Sequence, residues 1–360
     1  MSVSEIHIKD VRNIQNINIQ PSAKLNIIVG PNGSGKTTLL EAIYLLGRAR
    51  SFRTQNIKKI ITHEADHLIV YAKLDSPNGI SNKIAIKKDQ NDTTIRVNGK
   101  TEKRASELSR YLHTHLIRPE SQTLLERGSS ARRSFIDWGV FHVKHEFLDA
   151  SKKYTQLLKQ RNKLLKSKQL DTLHVWNKKF AEYGIIVSKE RALYVYHLEK
   201  ELKQIAKLLI GTEDIVVDYV KGWEQALSLG DALIKNRARD VQYGFTTVGA
   251  HKSDIRVLIE DKKAQDFLSR GQMKLLVISL YLAQIKIMSA QKDKSVCVLL
   301  DDLAAELDRD NFKKVMSFVV SLGIQVFITT TQENLFLDFM ELNESRVFHV
   351  EHGCIQKGET

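Results

Sequence analysis

Apolar and polar residues alternate with a period of two through much of the first third of the chain. Ile6-His7-Ile8 and Ile17-Asn18-Ile19-Gln20 read as half-buried strands. Leu68–Ala72 and Lys83–Ile86 are short β-type runs rich in branched side chains, and Thr94-Ile95-Arg96-Val97 leads into Asn98-Gly99. Asn-Gly is the turn pair that tolerates positive φ at both central positions, so 67–100 is predicted to fold as an antiparallel meander. Between 140 and 210 the period lengthens. Phe147, Tyr154, Leu158 and Leu165, then Tyr183, Val187, Tyr194, Leu198, Leu202, Ile205 and Leu209, recur at helical spacing. Two long helices with a break near Ser167–Asp171 are expected to form a short antiparallel hairpin. Beyond 210 the pattern becomes α/β. A strongly apolar helix runs to Met288, followed by a strand at Val296–Leu300, a helix at Asn311–Leu322 and a strand at Gln325–Thr330. A final edge strand is expected at Arg346–Val350.

Two stretches carry more than a fold signal. Leu25–Val29 is a continuous apolar strand, and Leu39–Leu46 is an apolar helix. Between them stand Gly30-Pro31-Asn32-Gly33-Ser34-Gly35-Lys36-Thr37-Thr38, the P-loop spacing of Gly, four residues, then Gly-Lys-Thr. The glycines let consecutive N–H groups turn inward onto phosphate oxygens. Lys36 is expected to reach the β- and γ-phosphates, and Thr37 to place its hydroxyl on Mg²⁺. The helix start adds its positive end. The second stretch is Val296-Cys297-Val298-Leu299-Leu300-Asp301-Asp302, a Walker B pattern. A buried strand delivers Asp301 to the mouth of a sheet, where it is expected to hold Mg²⁺ through water. Asp302 is placed to polarise the attacking water. The cofactors expected are therefore ATP and Mg²⁺, and the catalytic set is Lys36, Asp301 and Asp302.

Composition sets the frame for this chemistry. At 360 residues the chain has room for two or three structural units. A formal net charge of +13 favours a polyanionic partner, nucleic acid being the commonest. The lysine-rich stretch Lys152, Lys153, Lys159, Arg161, Lys163, Lys166, Lys168 contains no acid between Ser151 and Leu170; it is either a solvated helix face or a phosphate-binding surface. Cys297 sits in an apolar strand, and with Cys354 as the only other cysteine there is no disulfide framework or zinc spacing, which fits a cytoplasmic location. The N-terminus carries Glu5 and Asp10 and no apolar core of a signal peptide. Leu275–Met288, interrupted by Gln284 and Lys286, is too short to span a bilayer, so no membrane partner is expected.

Leu268-Ser269-Arg270-Gly271-Gln272 precedes the long apolar helix, where Ser269 is a natural N-cap. Lying after a P-loop and before a Walker B strand, it resembles the signature sequence of the ABC ATPase superfamily, and Glu306-Leu307-Asp308 resembles its D-loop. Further segments narrow the likeness: Gly47–Arg53, Arg118-Pro119-Glu120, Ala131–Gly139, Thr247–Asp254 and Leu300–Asp308. In this order they resemble the RecF family of bacterial recombination mediators, in the SMC-like branch of that superfamily, over essentially the whole chain. The resemblance implies an α/β fold: an ABC-type P-loop ATPase head with an antiparallel β subdomain and an inserted helical arm. The expected divisions are 1–139 and 246–360 for the head and 140–245 for the arm.

The same resemblance implies that Ser269, Gly271 and Gln272 of one subunit meet the nucleotide held by another in an ATP-dependent homodimer. It implies DNA binding at single-strand gaps or gapped duplex. RecO and RecR are the implied partners, with roles in loading RecA, in repair, in replication restart and in SOS induction. Arg48, Arg50, Arg53, Lys58 and Lys59 are candidate DNA contacts, and the basic arm is a second candidate. Arg132 and Arg133 either bind DNA or pair with carboxylates. Several departures from the pattern stand out. Asp302 replaces the usual Glu, which predicts slow, switch-like hydrolysis. Thr329, Thr330 and Thr331 stand where a switch histidine is usual, and Thr330 is the candidate γ-phosphate sensor. The Q-loop position falls to Gln122 or Glu120. Ala250 stands where relatives often have Pro, leaving the basic pair His251 and Lys252 in place.

Overall fold

A computed structural model describes residues 2–76, 78–144, 146–290, 295–342 and 344–356. The chain divides into two compact units, Met1–Ser121 with Ser289–Thr360, and Gln122–Met288.

The first unit opens with a hairpin of β1 (Ser2–Val11) and β2 (Ile14–Ile19). β3 (Leu25–Val29) then feeds α1 (Lys36–Arg48). The meander follows as β4 (His67–Asp75), β5 (Ser81–Asp89), β6 (Thr93–Val97) and β7 (Lys100–Glu102). Asn98 and Gly99 have φ of 50° and 82°, as the hairpin turn requires. These strands form one antiparallel sheet in the order β2-β1-β4-β5-β6-β7. Leu68, Val70, Ala72 and Leu74 of β4 all point to its buried face, the outcome that period-two alternation dictates. A short helix α2 (Leu108–Tyr111) leads to β8 (Leu112–Ile117).

The second unit begins with α3 (Ser129–Val143), then the hairpin of α4 (Glu146–Ser167) and α5 (Leu173–Ile210). β9 (Ile215–Val220), α6 (Leu229–Lys235), α7 (Arg237–Tyr243), β10 (Asp254–Ile259), β11 (Lys262–Lys263), α8 (Ala264–Phe267) and α9 (Arg270–Ser289) complete it. β10 lies between β9 and β11, antiparallel to both. Apolar and small residues of α9 are buried on every side, as a helix hydrophobic all round must be. The unit is wider than the arm expected at 140–245. Position 139/140 falls within α3, which packs on α5, with Gly139 leaving no room for a Cβ against Tyr194. Beyond 245, Thr246 and Thr247 bond to Asn162 and Asp240.

The chain returns to the first unit through β12 (Ser295–Leu300), α10 (Leu303–Glu306), α11 (Arg309–Ser321), β13 (Gln325–Thr330), α12 (Leu337–Leu342), β14 (Ser345–Glu351) and β15 (Cys354–Gln356). The second sheet has the order β15-β14-β3-β13-β12-β8, parallel except for β15. β12 and β13 are buried along their whole length because both faces are covered. One apolar core joins α1 to both sheets of this unit. The edge strand expected at 346–350 is one place further in. β14 pairs with β3, and His352-Gly353, with φ of 49° and 77°, folds β15 back as the edge. No described helix is long and apolar enough to cross a membrane.

Candidate nucleotide site

The P-loop leaves β3 at Gly30, where the backbone is hemmed in. A Cβ there would stand 2.3 Å from the Val350 carbonyl oxygen. Gly35, the residue before α1, has φ 119°, closed to any side chain without strain. Two turns from elsewhere in the unit brace the loop. Asn13, between β1 and β2, donates from Nδ2 to the Ser34 carbonyl at 3.2 Å and accepts from Thr38 Oγ1 at 3.0 Å. The Gly353 N–H, between β14 and β15, donates to the same carbonyl at 2.8 Å. The Ser34 hydroxyl is buried without a hydrogen-bond partner among the described residues.

Lys36 is buried, and its Nζ donates to the Gly30 and Pro31 carbonyls at 2.7 and 3.0 Å. Burial lowers its pKa, against the opposing pull of Asp302 and Asp301. Thr37 Oγ1 donates to Asp301 Oδ1 at 3.0 Å. Thr329 Oγ1 donates to the same oxygen at 2.9 Å and accepts from the Asp302 N–H at 2.9 Å. Burial raises the Asp301 pKa. The two hydroxyls counter that shift, and the charges of Asp302 and Glu120 add to it. Asp302 turns the chain with φ 50°, a left-handed conformation Asp tolerates better than most residues. The structure thus brings together Lys36, Thr37, Asp301 and Asp302 from segments more than 260 positions apart.

Thr330, the candidate sensor, closes a local turn with Gln332. Thr329 is the threonine that touches both acids. Strand register carried that signal, since Leu300 pairs with Ile328 and sets Asp301 level with Thr329. Asn13 and Gly353 carried no sequence signal. Of the Q-loop candidates, Glu120 is exposed and 3.5 Å from Arg118; the side chain of Gln122 lies outside the described residues.

In the second unit Ser269, Gly271 and Gln272 are exposed at the start of α9. The Gln272 N–H donates to Ser269 Oγ at 3.3 Å, and the Ser269 N–H donates to Gln272 Oε1 at 3.1 Å, a reciprocal capping box. Beyond its own helix backbone, a Cβ built on Gly271 meets open space among the described residues. Asp308 caps α11, accepting from the Asn311 N–H at 2.9 Å.

The basic candidates separate by environment. Arg50, Lys58 and Lys59 are exposed. Arg53 is exposed but stands 3.8 Å from Glu41, a fully buried carboxylate of α1 that also holds Arg12 at 2.5 and 2.9 Å and the Ser51 hydroxyl. Arg48 is half-buried, 5.4 Å from the Tyr44 ring centre. Arg132 pairs with Asp254 through two bonds of 2.7 Å, and Arg133 donates to the Ser253 carbonyl at 2.8 Å, so both are packed into the fold. Along α4, Lys152, Lys153, Lys159, Lys163 and Lys166 are exposed, as is Lys168 just beyond it. Arg161 is not; it is buried 2.8 Å from Asp240. His251 is not a basic group here. Burial drops its pKa to about 4, with Nδ1 accepting from Tyr154 OH and Nε2 donating to the Thr246 carbonyl.

Comparison with known proteins agrees with this geometry. The RecF/RecN/SMC N terminal domain family matches residues 2–356. The DNA replication and repair protein RecF of Shewanella piezotolerans is 39% identical over 357 residues, 99% of each chain. That of Vibrio vulnificus is 37% identical over 360 residues, 99% of this chain and 100% of its own. A solved structure of the recombination mediator protein RecF with ATP, from the RecFOR pathway, matches with a TM-score of 0.87 at 26% identity, covering 99% of this chain and 97% of that one. An Smc head bound to the C-terminal winged-helix domain of ScpA matches with a TM-score of 0.57 at 16% identity, covering 99% and 96%, a likeness of fold alone.

Proposed function

The chain belongs to the RecF family of DNA replication and repair proteins, and from that membership we propose that it is an ATP-switched DNA-binding recombination mediator. It dimerises on ATP at single-strand gaps or junctions and helps RecO and RecR load RecA, serving repair, replication restart and SOS induction from the cytoplasm. The observation that carries the reading is the Asp301 carboxylate oxygen shared by the P-loop Thr37 and by Thr329.

The residues fit a triphosphate with Mg²⁺. The partnerless Ser34 hydroxyl and Lys36 supply donors for phosphate oxygens, and loop N–H groups are expected to add to them. Thr37 Oγ1, and Asp301 Oδ1 through water, would hold the metal, which would supply neutralisation of phosphate charge. Lys36 exchanges its carbonyl partners for phosphate. Asp302 orients water and accepts its proton, held in place by the bond from its own N–H to Thr329. Asp is one methylene shorter than the usual Glu, so turnover is slow; stimulation by DNA is a separate part of the proposal. The exposed Ser269 cap and Gly271 meet the γ-phosphate of a second subunit. Arg50, Arg53, Lys58 and Lys59 take DNA phosphates, so affinity falls steeply with salt.

Light scattering with ATP, ADP or no nucleotide, each with and without gapped duplex, tests the switch. A monomer that dimerises with ATP and then holds DNA more tightly supports it. Lys36→Arg is expected to weaken dimerisation and turnover together, and Asp302→Asn to keep dimers while turnover falls at least about 100-fold. Equal loss of dimerisation in both variants rules the assignment out.

A further inference from the structure

Tyr243 and Phe245 stand at the surface of the second unit, 53% and 43% exposed, their ring centres 5.7 Å apart and planes 23° from parallel. The backbone that carries these two half-exposed rings is fixed on both sides. Gly244 between them has φ 71° and closes α7 with an N–H bond to the Asp240 carbonyl at 2.9 Å. Immediately after them, Thr246 donates from N and Oγ1 to Asn162 Oδ1 at 2.8 and 2.6 Å. Thr247 does the same to Asp240 Oδ1, also at 2.8 and 2.6 Å. Asp240 is itself buried against Arg161. The rings therefore ride on a segment pinned at both ends, by the α7 backbone and by a buried polar network.

Cations surround them. The Arg239 guanidinium lies 5.7 Å from the Tyr243 ring centre and the Lys252 ammonium 5.5 Å from that of Phe245. A Cβ on Gly244 would stand 3.7 Å from Lys166 Cα, which puts the end of α4 with exposed Lys163 and Lys166 alongside. None of these four cations forms an ion pair with a carboxylate among the described residues.

We propose that Tyr243 and Phe245 form a stacking platform for unpaired bases of a single-stranded nucleic acid, with Arg239, Lys252, Lys163 and Lys166 taking the flanking phosphates. Aromatic faces bind any base, and a positive frame tracks the backbone, the combination used where single strands are held without sequence preference. A cation resting over an exposed ring is weakly held, so Arg239 and Lys252 yield a ring face to a base and move to the adjacent phosphate. Paired bases in a duplex present no free face, so this site distinguishes single strand from duplex. The inference rests on the DNA-binding reading above and adds where and how unpaired bases are read.

The test uses the full chain, a labelled oligo-dT and an abasic strand of equal length. Tyr243→Leu/Phe245→Leu keeps apolar bulk and removes both π faces. It is expected to weaken oligo-dT binding about tenfold or more, with abasic and duplex binding and Tm unchanged. Lys163→Glu/Lys166→Glu is expected to weaken both single strands. In the wild-type protein, 5-iododeoxyuridine strands are expected to photocrosslink within 243–245, a readout that stands even if the double variant does not fold. Unchanged oligo-dT affinity in the leucine variant, equal loss on the abasic strand, or crosslinks only elsewhere overturns the platform and leaves DNA binding intact. A wild-type protein that binds no DNA overturns both.

Discussion

Asp301 and Asp240 are both buried aspartates, and they are held in opposite ways. Asp240 meets the Arg161 guanidinium at 2.8 Å and accepts two bonds from Thr247. Asp301 meets two hydroxyls and forms no ion pair among the described residues, while Lys36 spends its donors on backbone carbonyls. The helical unit matches its other buried charge as well: Arg191 forks onto Asp137 at 2.6 and 2.8 Å and donates to the Ala250 carbonyl at 2.6 Å. A buried ion left without an opposite charge is costly. The helical unit thus sets its buried aspartate against a cation, although Asp240 Oδ2 and Arg161 Nη2 form no hydrogen bond among the described residues, and the first unit holds Asp301 by hydroxyls alone.

The largest effect should come from breaking a matched pair. Arg161→Ala leaves Asp240 buried without its cation and is expected to cost about 3–5 kcal/mol, read by urea unfolding. Lys36→Ala removes a cation that burial already disfavours. Its expected cost to the ligand-free protein is under about 1 kcal/mol, with ATP binding lost. The contrast collapses if the two variants unfold at the same urea concentration.

Acid should expose the helical unit's dependence on its network. His251 titrates near 6.5 when unfolded and near 4 when folded. Between those values the unfolded chain binds more protons, so stability falls as pH drops below about 6.5 and stops falling from this source near 4. At pH 5 the loss from His251 is about 2 kcal/mol. His115 in the first unit, pushed to about 3 by burial and by Arg48 and His113, adds a loss of the same sign. His251→Gln is expected to be weaker at pH 8 and to lose less between pH 7.5 and 5. An unchanged pH slope would mean that His251 is charged in the folded protein.

How much of this could be read from the sequence follows the range of each interaction. The P-loop, the strand ending in Asp301-Asp302, the Asn98-Gly99 turn and the α4–α5 hairpin are local patterns, and each formed where its residues predicted. The parts that were not legible are pairings across the chain. Asn13 and Gly353 reach Ser34 from turns whose own sequences say nothing of a nucleotide. Glu41 looks like a polar position on an amphipathic helix until Arg12, Ser51 and Arg53 converge on it. Arg161 is an intermediate case. It stands seven residues after Tyr154 and four before Leu165, on the buried stripe of α4, so helical spacing already set it apart from the lysines around it. Composition alone grouped it with them.

The smallest effect separates the two aspartates most sharply. The Asp301 pKa is raised in the fold above its unfolded value, chiefly by burial. The unfolded chain therefore favours the ionised form more than the folded one does. That contribution to stability is complete below the unfolded pKa and is lost as pH rises through the folded one. At neutral pH the ionised carboxylate is a net cost to the ligand-free protein. Asp301→Asn keeps an acceptor for the threonine hydroxyls and removes the charge. It is expected to raise the Tm of the ligand-free protein by about 1–3 °C, the shift of roughly 1 kcal/mol in a chain of this length. The gain should shrink toward pH 4, and the added stabilisation by ATP with Mg²⁺ should disappear. Thermal unfolding across pH, with and without that ligand, reads all three. A fall in Tm of the ligand-free variant would mean that Thr37 and Thr329 already satisfy the carboxylate, and that Asp301 is held as Asp240 is.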